Sequence, residues 1–327
     1  MELYNLKLLV LMIITCSFVV SSQGKLRVGF YNKSCPDAEA IIRGVVREAS
    51  ISDENSAPGL LRLHFHDCFV EGCDGSILID NGLETDERHS SGHQGVRGFD
   101  VVERAKALLE GVCPGTVSCS DIVALAARDA VFLTKGPWYE AETGRRDGMV
   151  SNVRLADNLP DVGDSIHKLK AKFIEKGLNE KDLVILSAAH TIGTTACFFL
   201  GQRLYNFPAG GGADPSINPD FLPELKLTCP QKGDVNVRVA LDRGSEQTFD
   251  AQILQNIRSG FAVLQSDATL YQDVATRRVV DSYFELLSPF LGPSFEADFA
   301  TSMVKMGRIG VLTGSKGTIR RVCSSFS

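Results

Sequence analysis

Apolar residues recur along this chain at the spacing of an α-helix, whereas sustained alternation of apolar and polar residues is almost absent. Between Ala38 and Ala49 they fall at i, i+3, i+4, i+7, i+8 and i+11, which predicts an amphipathic helix. The segment IVALAARDAVFL is apolar nearly all round and predicts a central, buried helix. Further helices are predicted at 57–70, 97–110, 164–176, 180–190, 195–205, 248–264, 275–288 and 294–308. We therefore expect a mainly α protein with very little β structure, built as one domain of two lobes.

The N-terminal stretch reads as a secretory signal peptide. An apolar run, LLVLMIITCSFVV, follows a lone lysine and precedes small polar residues, and it is too short to span a membrane comfortably. We predict a signal peptide over residues 1–23 and a secreted domain over residues 24–327, with no stable membrane insertion. The net charge of −6 argues against nucleic acid as a partner.

Cysteine content supports an oxidising compartment. Of nine cysteines, Cys16 lies in the predicted signal peptide, which leaves an even number for disulfides. Eight cysteines allow 105 pairings, and only Cys68 and Cys73 are close enough in sequence for an obvious local bridge. Asn32 begins an N-x-S sequon and could carry a glycan.

The stretch RLHFHDC concentrates reactive side chains in an apolar setting. Arg62 and His66 are four residues apart, so on a helix they share a face, whereas His64 points elsewhere. A lone histidine in an apolar helix is usually a core residue. An arginine on the same face favours a catalytic role instead. The histidine can remove a proton from a substrate while the guanidinium stabilises the developing negative charge. A zinc hydrolase using His64 and His66 is a weaker alternative, since their spacing misplaces them on a helix.

Two loops are rich in oxygen ligands for a hard cation such as Ca²⁺. The first follows the helix of His66 and contains Asp67, Asp74 and Ser76, with the carbonyls of Val70 and Gly72. The second, LDRGSEQTFD, contains Asp242, Ser245, Thr248 and Asp250. An ordinary polar turn for the first loop and a helix capped by Thr248 for the second are the alternatives, and these residues alone do not decide.

A second histidine of interest is His190, in DLVILSAAHTIG. It ends a predicted apolar helix behind two alanines, which leave room for something flat and bulky to approach. Taken by itself, the position is more typical of a buried core histidine.

In order along the chain, these elements resemble the class III secretory plant peroxidases, from about Gly29 to Cys323. RLHFHDCFVEGCDGSIL is similar to the distal haem signature of that family, and DLVILSAAHTIG to its proximal signature. The resemblance implies the plant-type haem peroxidase fold, in which two helical lobes enclose one haem b. It also implies a monomer in the apoplast or cell wall that reduces H₂O₂ and oxidises small phenolic donors by one-electron steps. Lignin, suberin and wall cross-linking and the oxidative stress response are the processes concerned.

The resemblance assigns roles to individual residues. His66 would be the distal acid–base, Arg62 would stabilise negative charge on the peroxide, and Phe65 would line the distal pocket. His190 would be the axial iron ligand, and Asp267 would accept its other N–H. Two further positions match the donor mouth and the access channel, namely Pro160 and Phe199.

The resemblance also implies two calcium ions and four disulfides. The distal calcium would be held by Asp67, Val70, Gly72, Asp74 and Ser76, with Glu87 nearby through water. The proximal calcium would be held by Thr191, Asp242, Ser245, Thr248 and Asp250. The disulfides would be Cys35–Cys113, Cys68–Cys73, Cys119–Cys323 and Cys197–Cys229.

The chain departs from the family pattern at the position of an asparagine that orients the distal histidine in many members. With a one-residue gap in the match His93 occupies that position, and without the gap Gly92 does. Leu241 stands where an aromatic residue is often found. An inactive peroxidase-fold protein that binds the cell wall is the alternative function to be weighed.

Overall fold

The computed structural model describes residues 25–208, 210–285 and 292–326, so the predicted signal peptide lies outside the described residues. Within these ranges the chain forms twelve α-helices and one two-stranded sheet. The first six helices are α1 Ala38–Ser52, α2 Ser56–Phe69, α3 Phe99–Val112, α4 Cys119–Leu133, α5 Ile166–Glu175 and α6 Glu180–Ser187. The other six are α7 Gly201–Tyr205, α8 Leu222–Thr228, α9 Gln252–Arg258, α10 Gln265–Leu270, α11 Val274–Ser282 and α12 Phe295–Met306.

Helix α4 forms the centre of the larger apolar core. Every residue from Cys119 to Val131 is buried, as its all-round apolar sequence predicts. Its start is fixed by Ser118, whose hydroxyl accepts a hydrogen bond from the Asp121 amide at 3.2 Å. Helices α1 and α2 pack against it. Helix α2, which carries Arg62 and His66, is therefore held on a rigid support.

A smaller apolar cluster lies around the sheet. It includes Cys197, Leu204, Phe221 and Leu241. Strand β1 (Thr194–Ala196) pairs antiparallel with β2 (Arg238–Ala240), with Thr194 opposite Ala240. The small cluster thus supports the segment that directly follows His190.

Most of the predicted helices are present, but the one predicted at 195–205 is wrong over its first half. Thr194–Ala196 is a strand, Cys197–Leu200 is a 3₁₀ turn, and only Gly201–Tyr205 is α-helical. The reason is a tertiary pairing with β2, a segment some forty residues later that local periodicity does not reveal. Helices α8 and α10 were not predicted at all.

Four disulfides tie distant parts of the described chain together, and they are the four that the family resemblance implies. Cys119–Cys323 joins the start of α4 to the last described residues, across a sequence separation of 204. Cys68–Cys73 closes the loop directly after α2. None of the helices described is long and apolar enough to cross a membrane.

Candidate active site

Helix α2 presents Arg62, Phe65 and His66 toward one space. His66 is buried, and its Nδ1 lies 2.9 Å from Nδ1 of His93, which ends the 3₁₀ turn Ser91–His93. Burial lowers the pKa of His66 well below its usual value, and the charge of Arg62 and the neighbouring ring of His93 lower it further. His66 is therefore held as a neutral imidazole.

The contact between two Nδ1 atoms restricts the tautomers of both rings. One Nδ1 has to donate and the other has to accept. His93 Nε2 lies 3.5 Å from Glu87 Oε1, and both side chains are fully buried. A proton on His93 Nε2, facing the carboxylate, leaves His93 Nδ1 free to accept from His66 Nδ1–H. His66 Nε2 then keeps its lone pair. The structure thus places His93, and not Gly92, against the distal histidine.

Arg62 is a half-buried cation with few protein partners. Its Nη2 donates to the carbonyl of Gln94 at 3.2 Å, and among the described residues no carboxylate pairs with it. Burial and the charge of Arg238 lower the pKa of Arg62 to about 10, so it remains charged at neutral pH. Such a guanidinium is available to an anion that enters the space.

His64, in contrast, points away from this space into the core. Burial lowers its pKa to about 3, and its ring contacts the sulfur of Cys68, which is bonded to Cys73. The structure does not bring His64 and His66 together as metal ligands, which removes the geometric basis of the zinc hydrolase reading.

His190 lies in the 3₁₀ turn Ala188–Thr191, directly after α6. Its Nδ1 is 3.0 Å from each carboxylate oxygen of Asp267, a buried residue of α10. Burial lowers the pKa of His190, but the charge and hydrogen bond of Asp267 outweigh that effect, and the pKa is raised overall. The carboxylate fixes the proton on Nδ1 and leaves the lone pair of Nε2 free.

The position of Asp267 depends on a buried ion pair between Arg203 and Asp214, 2.9 Å apart. Arg203 Nη1 donates to the carbonyls of Ala262 and Val263, at 2.6 and 2.5 Å. These carbonyls lie just before α10, so the arginine anchors the segment that carries Asp267. Sequence reasoning missed Arg203, because a charged residue in a short helix gives no sign of burial.

The space between these groups suits a haem, the cofactor that the resemblance implies. The side chain of His190 is 36% exposed although burial acts on its pKa, so its ring borders an open space. The charge of Arg62 also lowers the pKa of His190, so the two side chains are close enough to interact. Phe65, whose ring centroid lies 4.3 Å from that of Phe69 at an interplanar angle of 34°, adds an apolar wall. A flat, apolar ring with one axial position fits these surroundings.

At the predicted donor mouth, Pro160 is half-buried. Phe199 is also half-buried and lies edge-on to the exposed Phe198, with ring centroids 5.2 Å apart. Both positions offer apolar surface.

Buried oxygens without hydrogen bonds surround the loop after α2. In the described part of the chain, both carboxylate oxygens of Asp67 at the end of α2, both of Glu87 and the hydroxyl of Ser76 make no hydrogen bond, and Glu87 has only its 3.5 Å ion-pair contact with His93. Burial raises the pKa of Asp67 well above its usual value, the charges of Asp74 and Glu87 raise it further, and the Gly75 amide opposes this only in part. Burial likewise raises the pKa of Asp74 to about 6. Such unpartnered buried oxygens fit a divalent cation.

The second loop draws its oxygens together differently. The Thr191 hydroxyl donates to Asp242 at 2.7 Å, and the Ser245 hydroxyl donates to Asp250 at 3.0 Å. The Asn256 amide also donates to Asp242, at 2.5 Å. Burial raises the pKa of Asp242 to about 6. The converging oxygens suit Ca²⁺ as well, but here hydroxyl and amide donors already satisfy the carboxylates.

Comparisons with known proteins agree with this geometry. A family model described as Peroxidase matches residues 42–285. Peroxidase 43 of Arabidopsis thaliana is 64% identical over 319 residues, which cover 98% of this chain and 97% of the relative. Peroxidase 13 of Arabidopsis thaliana is 56% identical over 93% of each chain. Peroxidase N1 of Nicotiana tabacum is 50% identical over 94% of this chain and 92% of its own.

Proposed function

The chain belongs to the peroxidase family and is a haem peroxidase, and we propose that it acts as a secreted enzyme that reduces H₂O₂ at the expense of small phenolic donors. The observation that carries the assignment is the pairing of two histidines around one space. His190 is held by Asp267 at 3.0 Å, and His66 is kept neutral beside Arg62. The comparisons give no support to the alternative of an inactive wall-binding protein.

We propose that His190 Nε2 ligates the haem iron. When bound, the haem supplies the redox centre from which H₂O₂ accepts two electrons. Two donor molecules would then each return one electron to that centre. With two protons, the peroxide leaves as two molecules of water. Asp267 increases the imidazolate character of His190, because its carboxylate accepts a hydrogen bond from Nδ1–H while Nε2 would bind the metal.

His66 is the distal base and acid. Its unprotonated Nε2 takes the proton from one peroxide oxygen and returns it to the other, which converts that oxygen into a water leaving group. Arg62 offers its guanidinium to the oxygen on which negative charge develops. His66 is buried and Arg62 is half-buried, so little water has to be reorganised around them.

His93 and Glu87 position this base. Glu87 favours the proton on His93 Nε2, His93 Nδ1 accepts from His66 Nδ1–H, and His66 Nε2 stays free. A wrong tautomer would place a proton where the peroxide has to lose one.

We further propose two calcium sites and an extracellular location. The distal loop would hold one Ca²⁺ through Asp67, Asp74 and Ser76 with the carbonyls of Val70 and Gly72, near Glu87. The proximal loop would hold another through Thr191, Asp242, Ser245, Thr248 and Asp250. Four disulfides suit an oxidising compartment such as the cell wall. Phenolic donors, including precursors of lignin and suberin, would dock by Pro160 and Phe199.

The test is the absorption spectrum of the secreted protein before and after one equivalent of H₂O₂, followed by assays with phenols. We expect a Soret band that shifts with peroxide and returns as a phenol is oxidised. His190→Ala should lose the band, whereas His66→Leu should retain it without the shift. A protein purified with calcium but without a Soret band would contradict the proposal.

A further inference from the structure

We call three arginines, Arg62, Arg97 and Arg238, the arginine rim. Arg62 Nη2 donates to the carbonyl of Gln94, three residues before Arg97, and the charge of Arg238 acts on Arg62. A chain of side-chain contacts connects two of them. Arg238 donates to the Thr194 hydroxyl at 2.9 Å and to its carbonyl at 2.6 Å, and Thr194 contacts Asn55 at 3.5 Å. Asn55 and Arg97 both bind the carboxylate of Asp53, Asn55 through Nδ2 at 3.1 Å and Arg97 at 2.8 Å.

The arginine rim connects the segment after His190 with the start of α2. Thr194 opens β1, four residues after His190, and Arg238 opens β2 opposite Ala196. Asn55 directly precedes α2, the helix that carries Arg62 and His66. A ligand that touches Arg238 therefore lies between the proximal and the distal elements.

The positive charge of the rim is not balanced by the protein. Within the described ranges neither Arg62 nor Arg238 forms an ion pair, and Nη1 of Arg238 makes no hydrogen bond. The nearby carboxylates are engaged elsewhere, Asp53 with Arg97 and Glu54 with Gln247 at 2.9 Å. Burial and the charge of Arg97 lower the pKa of Arg238, so the like charges act on one another. In a chain of net charge −6, this local excess indicates an anionic ligand.

We propose that Arg238, with Arg62 and Arg97 beside it, binds a carboxylate at the edge of the active-site space. A planar guanidinium with a free Nη group matches a carboxylate better than a point charge does. The inference rests on the proposed function, which supplies two sources of a carboxylate. One is a side-chain carboxylate of the haem, and the other is a phenolic donor that carries its own carboxylate.

The first arm of the test measures how tightly the cofactor is held. Holoenzyme containing haem b is compared with enzyme reconstituted with haem dimethyl ester, and haem transfer to excess apomyoglobin is timed. If the rim binds the cofactor, Arg238→Gln should speed the loss of haem b by about tenfold or more, without affecting the ester. Arg238→Lys should lie between, because it keeps the charge and loses the fork. Arg278→Gln, on the exposed face of α11, is the matched control.

The second arm measures donor preference in the same variants. Ferulate carries a carboxylate, and methyl ferulate is its neutral counterpart. If the rim binds the donor, Arg238→Gln should lower the ratio of kcat/KM for ferulate to that for methyl ferulate by about tenfold, with haem retention unchanged. Arg278→Gln should leave that ratio as in the wild type.

Either result supports the proposal and identifies the source of the carboxylate. The proposal is overturned if Arg238→Gln changes neither the rate of haem b loss nor the ratio of kcat/KM values. It is also overturned if the variant speeds the loss of haem b and of its ester equally, which would indicate a structural role. A wild-type protein that retains no haem at all would instead contradict the proposed function, and the inference would fail with it.

Discussion

The two active-site histidines have opposite electrostatic surroundings. His66 lies beside a cation and a second imidazole, and burial with these neighbours lowers its pKa. His190 lies against the carboxylate of Asp267, which raises its pKa against the effect of burial. The same side chain is thus a neutral imidazole in one place and a polarised imidazole in the other. The charged neighbour, Arg62 for His66 and Asp267 for His190, makes most of the difference.

The largest expected effect comes from removing His66, the proposed proton acceptor. His66→Leu should slow the reaction with H₂O₂ by about 10³–10⁴-fold, at the upper end of what general acid–base catalysis contributes. Stopped-flow measurement of the Soret change gives the rate constant. The control is His64→Gln, two residues away on the same helix and turned into the core. Equal losses in both variants would show that the helix, and not the base, had been damaged.

The second way is to make the proximal partner neutral. Asp267→Asn should raise the reduction potential of the bound iron and slow the peroxide reaction by about 10–100-fold, the usual effect of removing a partner of a metal ligand. Spectroelectrochemistry measures the potential. Asp220→Asn, at an exposed position, serves as the control. An unchanged potential would mean that the carboxylate only fills space.

The third change tests the hydrogen bond between His93 and His66. His93→Leu removes the acceptor for His66 Nδ1–H and should slow the peroxide reaction by about tenfold, whereas His93→Asn should restore most of the rate with its amide oxygen. Both variants should bind haem as the wild type does. If the leucine and asparagine variants react equally slowly, His93 does not act by accepting a hydrogen bond.

The fourth and smallest effect concerns the two oxygen-rich loops. In calcium-free protein at pH 7, Asp67→Asn should raise the Tm by about 2–4 °C, because it removes a buried carboxylate without partners. Asp242→Asn should lower the Tm, since it loses accepted hydrogen bonds from Thr191 and Asn256. Differential scanning calorimetry decides. Equal signs for both substitutions would contradict the difference between the loops.

The same loops predict a pH dependence of calcium stabilisation. The folded pKa of Asp74 is about 6 and lies above the unfolded value, so calcium-free folded protein binds more protons and loses stability as pH rises from 4 to 6. Calcium replaces those protons. The rise in Tm caused by calcium should therefore be larger at pH 7 than at pH 5, and Asp74→Asn should reduce that difference.

Local patterns in the sequence were sufficient where helix geometry alone sets the outcome. The spacing of Arg62 and His66 predicts a shared face, and the all-apolar segment of α4 predicts its burial. The bond between His190 and Asp267 spans 77 residues, so it was expected only from the family resemblance. The choice between His93 and Gly92 depended on the contact between the rings of His66 and His93, which only the three-dimensional structure gives. Strand β1 was mispredicted for a similar reason, because its partner is distant in sequence.

The arginine rim shows the same limit. Arg238 sits in a short, exposed strand, and nothing in its neighbours indicates that Arg62 and Arg97 lie close to it in space. A charge cluster assembled from three separate segments has no periodicity to detect. Only the fold reveals that their charges are left without carboxylates.

The central claim is that His190 binds the iron while His66, held by His93, stays off it. The electron paramagnetic resonance spectrum of the ferric holoenzyme tests this directly, because the number of histidine ligands sets the spin state. We expect a high-spin signal in the wild type that persists in His66→Leu and disappears in His190→Ala. A low-spin signal typical of two histidine ligands, converted to high spin by His66→Leu, would contradict the account.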